Sequence, residues 1–244
     1  MNETPQGTGA EFGNLEANLR FLDESRALQP HMRVLEIGTG SGSLLHTLRH
    51  RGLDVVGVDT SRDRIAEARA RFGDMPIRQT EGVALPYPDA SFDAVLSFDV
   101  LEHIPGTDAH LEEVRRVLKP GGWYLLQTPN KWTNTVFETI RWRSFTRWRQ
   151  DHCSLHSYDE LERRFERHGF ETTFADVRVV TPYYRDKVRR HLGRVGSALL
   201  AVMPIDRLPR RLRTNFYVVA RKPATPEPDK TVDAALVARE TGTT

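Results

Sequence analysis

The sequence predicts an α/β protein built on a doubly wound, mostly parallel sheet, and three observations carry that expectation. Short apolar runs at 34–37, 53–58 and 94–98 have the length and branched side chains of strands buried on both faces. Helix-period stripes follow, at Leu44, Leu45 and Leu48 and again at Leu111, Val114, Val117 and Leu118, so strands and crossover helices alternate. The first run breaks into Gly38, Gly40 and Gly42, and the second ends in Asp59. A glycine turn and a carboxylate at successive strand ends are what such sheets use to hold a nucleotide.

Residues 1–10 are polar with Gly, Thr and Pro, and are expected to be disordered. Ala17, Leu19, Phe21, Leu22 and Leu28 predict a helix over 16–28 that leads into the first strand. At the turn, glycines accept positive φ and let backbone N–H groups approach a ligand. The third glycine of a G-x-G-x-x-G dehydrogenase fingerprint would fall at position 43, which is Ser43. Glu36 stands just before the turn, whereas a pyrophosphate is best served with no carboxylate nearby. Asp59 falls about twenty residues past the first glycine, where dinucleotide-type folds place the acceptor of two ribose hydroxyls. Helix capping is the other role open at this place, which Thr60, Ser61 and Asp63 could also serve. Residues 81–93 form a Pro-rich connection into the strand at 94–98. The stripe at 111–118 stops at Lys119-Pro120-Gly121-Gly122, in which a cation, proline and glycine supply termination chemistry, and 123–128 follows as a fifth strand.

The run Glu36-Ile37-Gly38-Thr39-Gly40-Ser41-Gly42 resembles the E/D-x-G-x-G-x-G signature of the class I S-adenosylmethionine-dependent methyltransferases. The resemblance continues through 81–93 and through Asp99-Val100-Leu101-Glu102-His103-Ile104. Leu118-Lys119-Pro120-Gly121-Gly122 and Thr128-Pro129-Asn130 are similar to the quinone-biosynthesis O-methyltransferases and their type 11 relatives. The match spans residues 30–130. It implies a Rossmann-like sheet of seven strands with an antiparallel final strand, the last two strands being read at 171–180 and 215–221. It also implies S-adenosylmethionine as cofactor. Glu36, Gly38, Gly40 and Gly42 would form the donor loop, with Asp59 and Thr60 at the ribose. Glu81, Gly82 and Val83 would lie beside the adenine, and Phe98 and Asp99 would wall the methyl group. The helix at 16–28 would cover the cofactor.

Residues 131–157 are expected to be a substrate-side elaboration. Trp132, Phe137, Trp142, Phe145 and Trp148 interleave with Arg141, Arg143, Arg147 and Arg149. Such a pattern suits stacking on single-stranded nucleic acid, or a substrate-covering helix with its aromatic side on the core. The second is preferred, because the net charge is only +2 and the strand-four exit lacks the (D/N/S)-P-P-(Y/F) of amino-methylating DNA enzymes. His103, His152 and His156 are the candidate general bases, since imidazole titrates near neutral pH. His152 and His156 have the i, i+4 spacing of metal ligands, but no third ligand is visible and no metal is expected. Ser157 and Glu160 suit a capping box for a helix over 159–168. Residues 178–213 hold ten Lys/Arg against Asp186 and Asp206, and Val188, Leu192, Val195, Leu199 and Val202 share one helical face. Two roles stay open for this basic amphipathic insertion, bounded at 181–213. It is a lid over the active site or, through a helix at 185–203, a peripheral contact with an anionic membrane.

With 244 residues, 39% hydrophobic and 28% charged, the chain suffices for one sizeable domain, expected over 11–222, followed by a disordered tail at 223–244. No apolar run approaches the roughly 20 residues of a membrane span. No secretory signal is visible, and the single Cys153 excludes an internal disulfide or a Cys-rich zinc site. A cytoplasmic enzyme is expected, methylating a small-molecule or lipid-like acceptor, at oxygen by the resemblance. In-line displacement requires alignment and exclusion of water more than any one catalytic side chain. A non-catalytic S-adenosylmethionine-binding regulatory or assembly protein would carry the same residues. A nicotinamide-dependent oxidoreductase would share the first strand, the turn and Asp59, leaving Glu36, 118–122 and the paired terminal strands unexplained.

Overall fold

The computed structural model describes residues 14–144 and 152–224. The expected tails, at 1–10 and from 225 onward, lie outside the described residues, as do Phe145, Arg147, Trp148 and Arg149. Seven strands form one sheet in the order β3-β2-β1-β4-β5-β7-β6. They are β1 Arg33–Ile37, β2 Asp54–Asp59, β3 Ile77–Gln79, β4 Phe92–Phe98, β5 Leu118–Pro129, β6 Glu171–Ala175 and β7 Asn215–Arg221. β7 is antiparallel to both neighbours, and all other pairings are parallel. The expected Rossmann-like architecture is therefore the observed one. Strand order reverses between β1 and β4, so a crevice opens at their carboxyl ends.

Among the described residues seven α-helices flank the sheet: α1 Leu15–Ser25, α2 Ser43–His50, α3 Arg62–Phe72, α4 Thr107–Val117, α5 Lys131–Trp142, α6 Tyr158–Arg167 and α7 Pro182–Val202. Successive strand residues point to opposite faces, which divides the core in two. Val34, Leu96 and Leu125 pack with Phe21, Leu45 and Ala68, while Leu35, Val95 and Leu126 pack with Leu111, Val114 and Phe165. The capping box of Ser157 and Glu160 is fully formed at the start of α6.

Several boundaries differ from expectation for identifiable reasons. β3 has three residues, too few for a periodicity to show. Helix α4 ends at Val117, but residues 119–122 run on as strand instead of turning. The pairing of β4 with β5 jumps from Phe92↔Leu118 to Ala94↔Trp123, and Gly121, at φ 79°, donates its N–H to the Lys222 carbonyl at 2.9 Å. The strand read at 171–180 stops at Ala175. Beyond it Val177 and Val179 are buried in the same core cluster as Phe21 of α1, and Asn14 Nδ2 donates to the Val179 carbonyl at 2.9 Å.

Two helices on the substrate side depart further. α5 does not lay its aromatic side on the core: Trp132 is 61% exposed, and the buried residue of this helix is Glu138. α7 breaks at Gly193, whose φ of 62° and ψ of −150° are not helical. Val188, before the break, is buried, while Val195 and Val202, after it, are 72% and 77% exposed. Residues that share one face of an ideal helix thus occupy two environments.

Gly42 and Gly52 have φ of 76° and 84°. A Cβ on Gly42 would lie 2.9 Å from the Ala68 Cβ of α3, whereas one on Gly52 would meet nothing within 4 Å. Gly52→Ala should therefore cost about 1 kcal/mol, for the left-handed backbone alone. Gly42→Ala should cost clearly more. Urea denaturation of both variants checks this, and equal losses would show that the turn and α3 are not in tight contact.

Candidate active site

A cavity of about 700 Å³ opens where β1, β2 and β4 end, walled also by α1, α5 and α7. Its first half is shaped by the turn after β1. Gly38, Gly40 and Gly42 take φ of 73°, 51° and 76°. The N–H groups of Gly38 and Thr39 donate to the Val58 carbonyl at 2.8 and 3.2 Å, pulling the turn over the end of β2. A Cβ on Gly38 would collide with the Val100 side chain. Gly38 and Gly40 line the cavity, while Gly42 caps α2 and faces Ala68.

Asp59 has both roles considered for it within reach. Its Oδ2 accepts the Gly40 N–H at 2.8 Å and its Oδ1 the Ser61 N–H at 2.9 Å, so it braces the turn and the approach to α3 while lining the cavity beside Thr60. Each carboxylate oxygen keeps further acceptor capacity for a hydroxyl. Glu36 is 5% exposed, and its Oε2 has no hydrogen-bond partner. Burial pushes its carboxyl well above the usual range, the Asp59 charge adds to this, and the Leu45 N–H opposes it. A dehydrated, unpartnered carboxyl facing a cavity calls for a cation or a donor. The ammonium and ribose hydroxyls of S-adenosylmethionine supply both, so these residues fit that group.

Of the three residues expected beside the adenine, Gly82 lines the cavity, whereas Glu81 is exposed and, like Val83, is not part of the lining. A residue that sequence reasoning missed holds Gly82 in place. His110 Nδ1 is 2.7 Å from the Gly82 carbonyl, its Nε2 is 2.8 Å from the Tyr124 hydroxyl, and that hydroxyl is 2.7 Å from Ser97 Oγ. Burial lowers the His110 pKa to about 4, so the ring is neutral, with one nitrogen donating and the other accepting. Phe98 meets Phe21 of α1 edge to face at 6.1 Å. Asp99, at φ 54°, lines the cavity and donates its N–H to Gln127 Oε1 at 3.0 Å.

The second half of the cavity contains Glu102, His103 and His152. Glu102 is 1% exposed and accepts the Thr128 hydroxyl at 3.1 Å. Burial first, and the Asp99 charge second, raise its pKa. His103 Nε2 lies 4.0 Å from Glu102 Oε1, the His103 and His152 rings are 5.1 Å apart, and His152 Nδ1 is 3.0 Å from Asn134 Nδ2. Candidate ligating atoms of Glu102, His103 and His152 fall within 4.8 Å of one another. Two imidazoles and a carboxyl in this arrangement can handle a proton or hold a divalent cation. Sequence reasoning had two of the three and passed over Glu102, which reads as an ordinary polar residue at the strand exit. His156 lies elsewhere: it is buried, bridges to Asn130, is held down to about 4 by burial, and does not line the cavity.

A family model described as a methyltransferase domain matches residues 12–173. The chain belongs to this methyltransferase family. Over 100 residues it is 39% identical to a Mycolicibacterium smegmatis protein named as an S-adenosylmethionine-dependent methyltransferase, covering 41% of this chain and 39% of that one. It is 30% identical over 165 residues to the ubiquinone biosynthesis O-methyltransferase of a Chelativorans species, covering 62% and 64%. Its matches thus span under two thirds of these relatives. Among solved structures, a Haloferax volcanii protein in complex with the Trm112 methyltransferase activator shares the fold, with a TM-score of 0.68 at 18% identity over 88% of this chain and 92% of that one. Phosphoethanolamine N-methyltransferase 2 of Haemonchus contortus, solved with S-adenosylmethionine, shares it at 0.60 and 22% identity over 86% and 53%.

The raised pKa of Glu36 gives this methyltransferase site a definite pH dependence. Without ligand, Glu36 keeps its proton above the ordinary carboxylate range. A ligand ammonium favours the ionised form and expels that proton, so raising the pH removes the competitor. Affinity for S-adenosylhomocysteine, measured by calorimetry, should rise with pH, and Glu36→Gln should flatten the profile. An identical profile in the variant would contradict the assignment.

Proposed function

We propose that the protein transfers the methyl group of S-adenosylmethionine to an oxygen of a small-molecule or lipid-like acceptor. The observation that carries this reading is the second half of the cavity: beyond the donor loop it continues to Glu102, His103 and His152 beneath α5 and α7. A protein that only stored the cofactor would have no need of that space. The O-methyltransferase names among the relatives support oxygen as the atom methylated.

S-adenosylmethionine, when bound, supplies a methyl group already activated by its positive sulfur. The chain's own task is alignment, dryness and a place for one proton. Glu36, Asp59, Thr60 and Gly82 hold the donor end, with Phe98 and Asp99 at the wall toward the acceptor. Tyr183, Tyr184 and Val188 of α7, with Phe137 of α5, close the acceptor side and exclude water from the reacting atoms. His103 and His152 take the acceptor's hydroxyl proton at a ring nitrogen. Residues 131–157 and 181–213 serve as substrate-side elaborations of a domain at 11–222. The 185–203 helix gives a cytoplasmic protein its peripheral membrane contact; no helix among the described residues is long and apolar enough to cross a membrane.

Radiolabelled methyl transfer to a panel of quinol, lipid and glycan acceptors tests the proposal. Turnover should appear with a hydroxyl-bearing member. His103→Gln and His152→Gln should each lower kcat about 10²-fold or more and leave S-adenosylhomocysteine affinity unchanged. Binding of the cofactor product without turnover of any member would favour a regulatory role.

A further inference from the structure

Exposed apolar surface is not scattered over this molecule. Among the described residues the large hydrophobic side chains left exposed are Trp132, Val136 and Ile140 on α5, Val195, Leu199 and Val202 on α7, and Met203 and Leu212 after it. None lies on α1 to α4, on α6 or on the sheet. Trp132, Val136 and Ile140 are spaced i, i+4, i+8 and form one stripe. Exposed apolar residues grouped in this way mark an interaction surface.

The two helices meet beside the acceptor half of the cavity. Phe137 of α5 packs edge to face on His191 of α7 at 6.2 Å, and Lys187 Nζ lies 5.9 Å from the Phe137 ring centroid. The helix breaks at Gly193, and Val195 and Val202 past the break carry the highest apolar exposure in the described chain. Charge selects the occupant. Residues 178–213 contain ten Lys/Arg and two Asp. Arg185, Arg189, Arg190 and Arg194 are exposed on α7 itself, with Arg189 and Arg190 sharing Asp186. A second copy of the chain would bring this positive surface against its like. Basic residues flanking exposed Val, Leu and Trp are instead the composition of helices that lie in the interface of an anionic bilayer.

We propose that α5 and the part of α7 beyond Gly193 form a docking surface for an anionic lipid bilayer, with the arginines of α7 on lipid phosphates and the apolar stripes in the headgroup boundary. This rests on the acceptor reading in one respect, since the same two helices wall the acceptor half of the cavity, and docking would set that half against the lipid.

The test is co-sedimentation of the full chain with vesicles of phosphatidylcholine alone and of equal parts phosphatidylcholine and phosphatidylglycerol. Partition should be at least tenfold stronger into the mixed vesicles and should fall as salt is raised. The triple variants Val195→Ser/Leu199→Ser/Val202→Ser and Trp132→Ser/Val136→Ser/Ile140→Ser should each weaken it about tenfold or more. None of these residues lines the cavity, so affinity for S-adenosylhomocysteine should be unchanged and confirms that the variants fold. Equal partition into both vesicles, no partition, or partition indifferent to both variants would overturn the proposal. A dimer in gel filtration that either variant dissociates would do so too, assigning the surface to a second copy. Vesicle binding by a chain that binds no S-adenosylhomocysteine would leave the docking surface standing and remove the methyl-donor reading.

Discussion

The mouth of the cavity at β1 and β2 depends on one carboxylate tying two strand ends together. Asp59, at the end of β2, accepts the Gly40 N–H with one oxygen and the Ser61 N–H with the other. The turn after β1 and the start of α3 are therefore fixed to a single side chain that is itself 9% exposed. Replacing it would leave two backbone donors short of partners at a cost of about 1–3 kcal/mol each. The left-handed glycines and the bonds to the Val58 carbonyl follow from the same geometry: the chain must leave β1, cross the end of β2 and enter α2 within a few residues. Glu36, just before that crossing, is buried with it.

Burial of acids recurs along the cavity. Glu36 beside the turn after β1 and Glu102 beside His103 are both dehydrated, and both are pushed toward their protonated forms chiefly by burial. Charges brought by a ligand are weakly screened in such surroundings, so a cationic methyl donor meets a site that responds strongly to it. Two walls of the cavity, α1 and α7, are also joined to one another. Thr181, which caps α7, donates to Asn14 Oδ1 at 2.9 Å, and Asn14 caps α1. The Tyr217 hydroxyl donates to Asn18 Oδ1 at 3.1 Å, anchoring α1 to β7. Two helices that wall the cavity, α1 and α7, are thus held to one another by buried polar contacts.

Much of this was legible in the residues themselves. The strands at β1, β2 and β4 announce themselves because parallel strands buried on both faces are apolar runs, and α2 and the capping box of α6 obey local rules. Gly38 and Gly40 are legible because a turn with positive φ permits few residue types, Asp59 because it ends the second strand about twenty residues beyond the first glycine, and Glu36 from the E/D-x-G-x-G-x-G resemblance. What escaped depends on contacts between distant segments. His110 reads as a polar position on an amphipathic helix until Gly82 and Tyr124 are folded onto it. Glu102 gains its character from burial, which no local pattern encodes, and His156 loses its place near the cavity by joining the backbone of Asn130 and Lys131. The insertion looked like one amphipathic helix because periodicity does not register a break at a single glycine, Gly193.

The central claim, that the β1 turn and Asp59 form a methyl-donor site, is tested most directly by titrating the full chain with S-adenosylhomocysteine in a calorimeter, with NADH and an Asp59→Ala variant as comparisons. The account predicts micromolar binding, about −8 kcal/mol, lost by tenfold or more in the variant and absent for NADH. No binding of S-adenosylhomocysteine, or a preference for NADH, would contradict it.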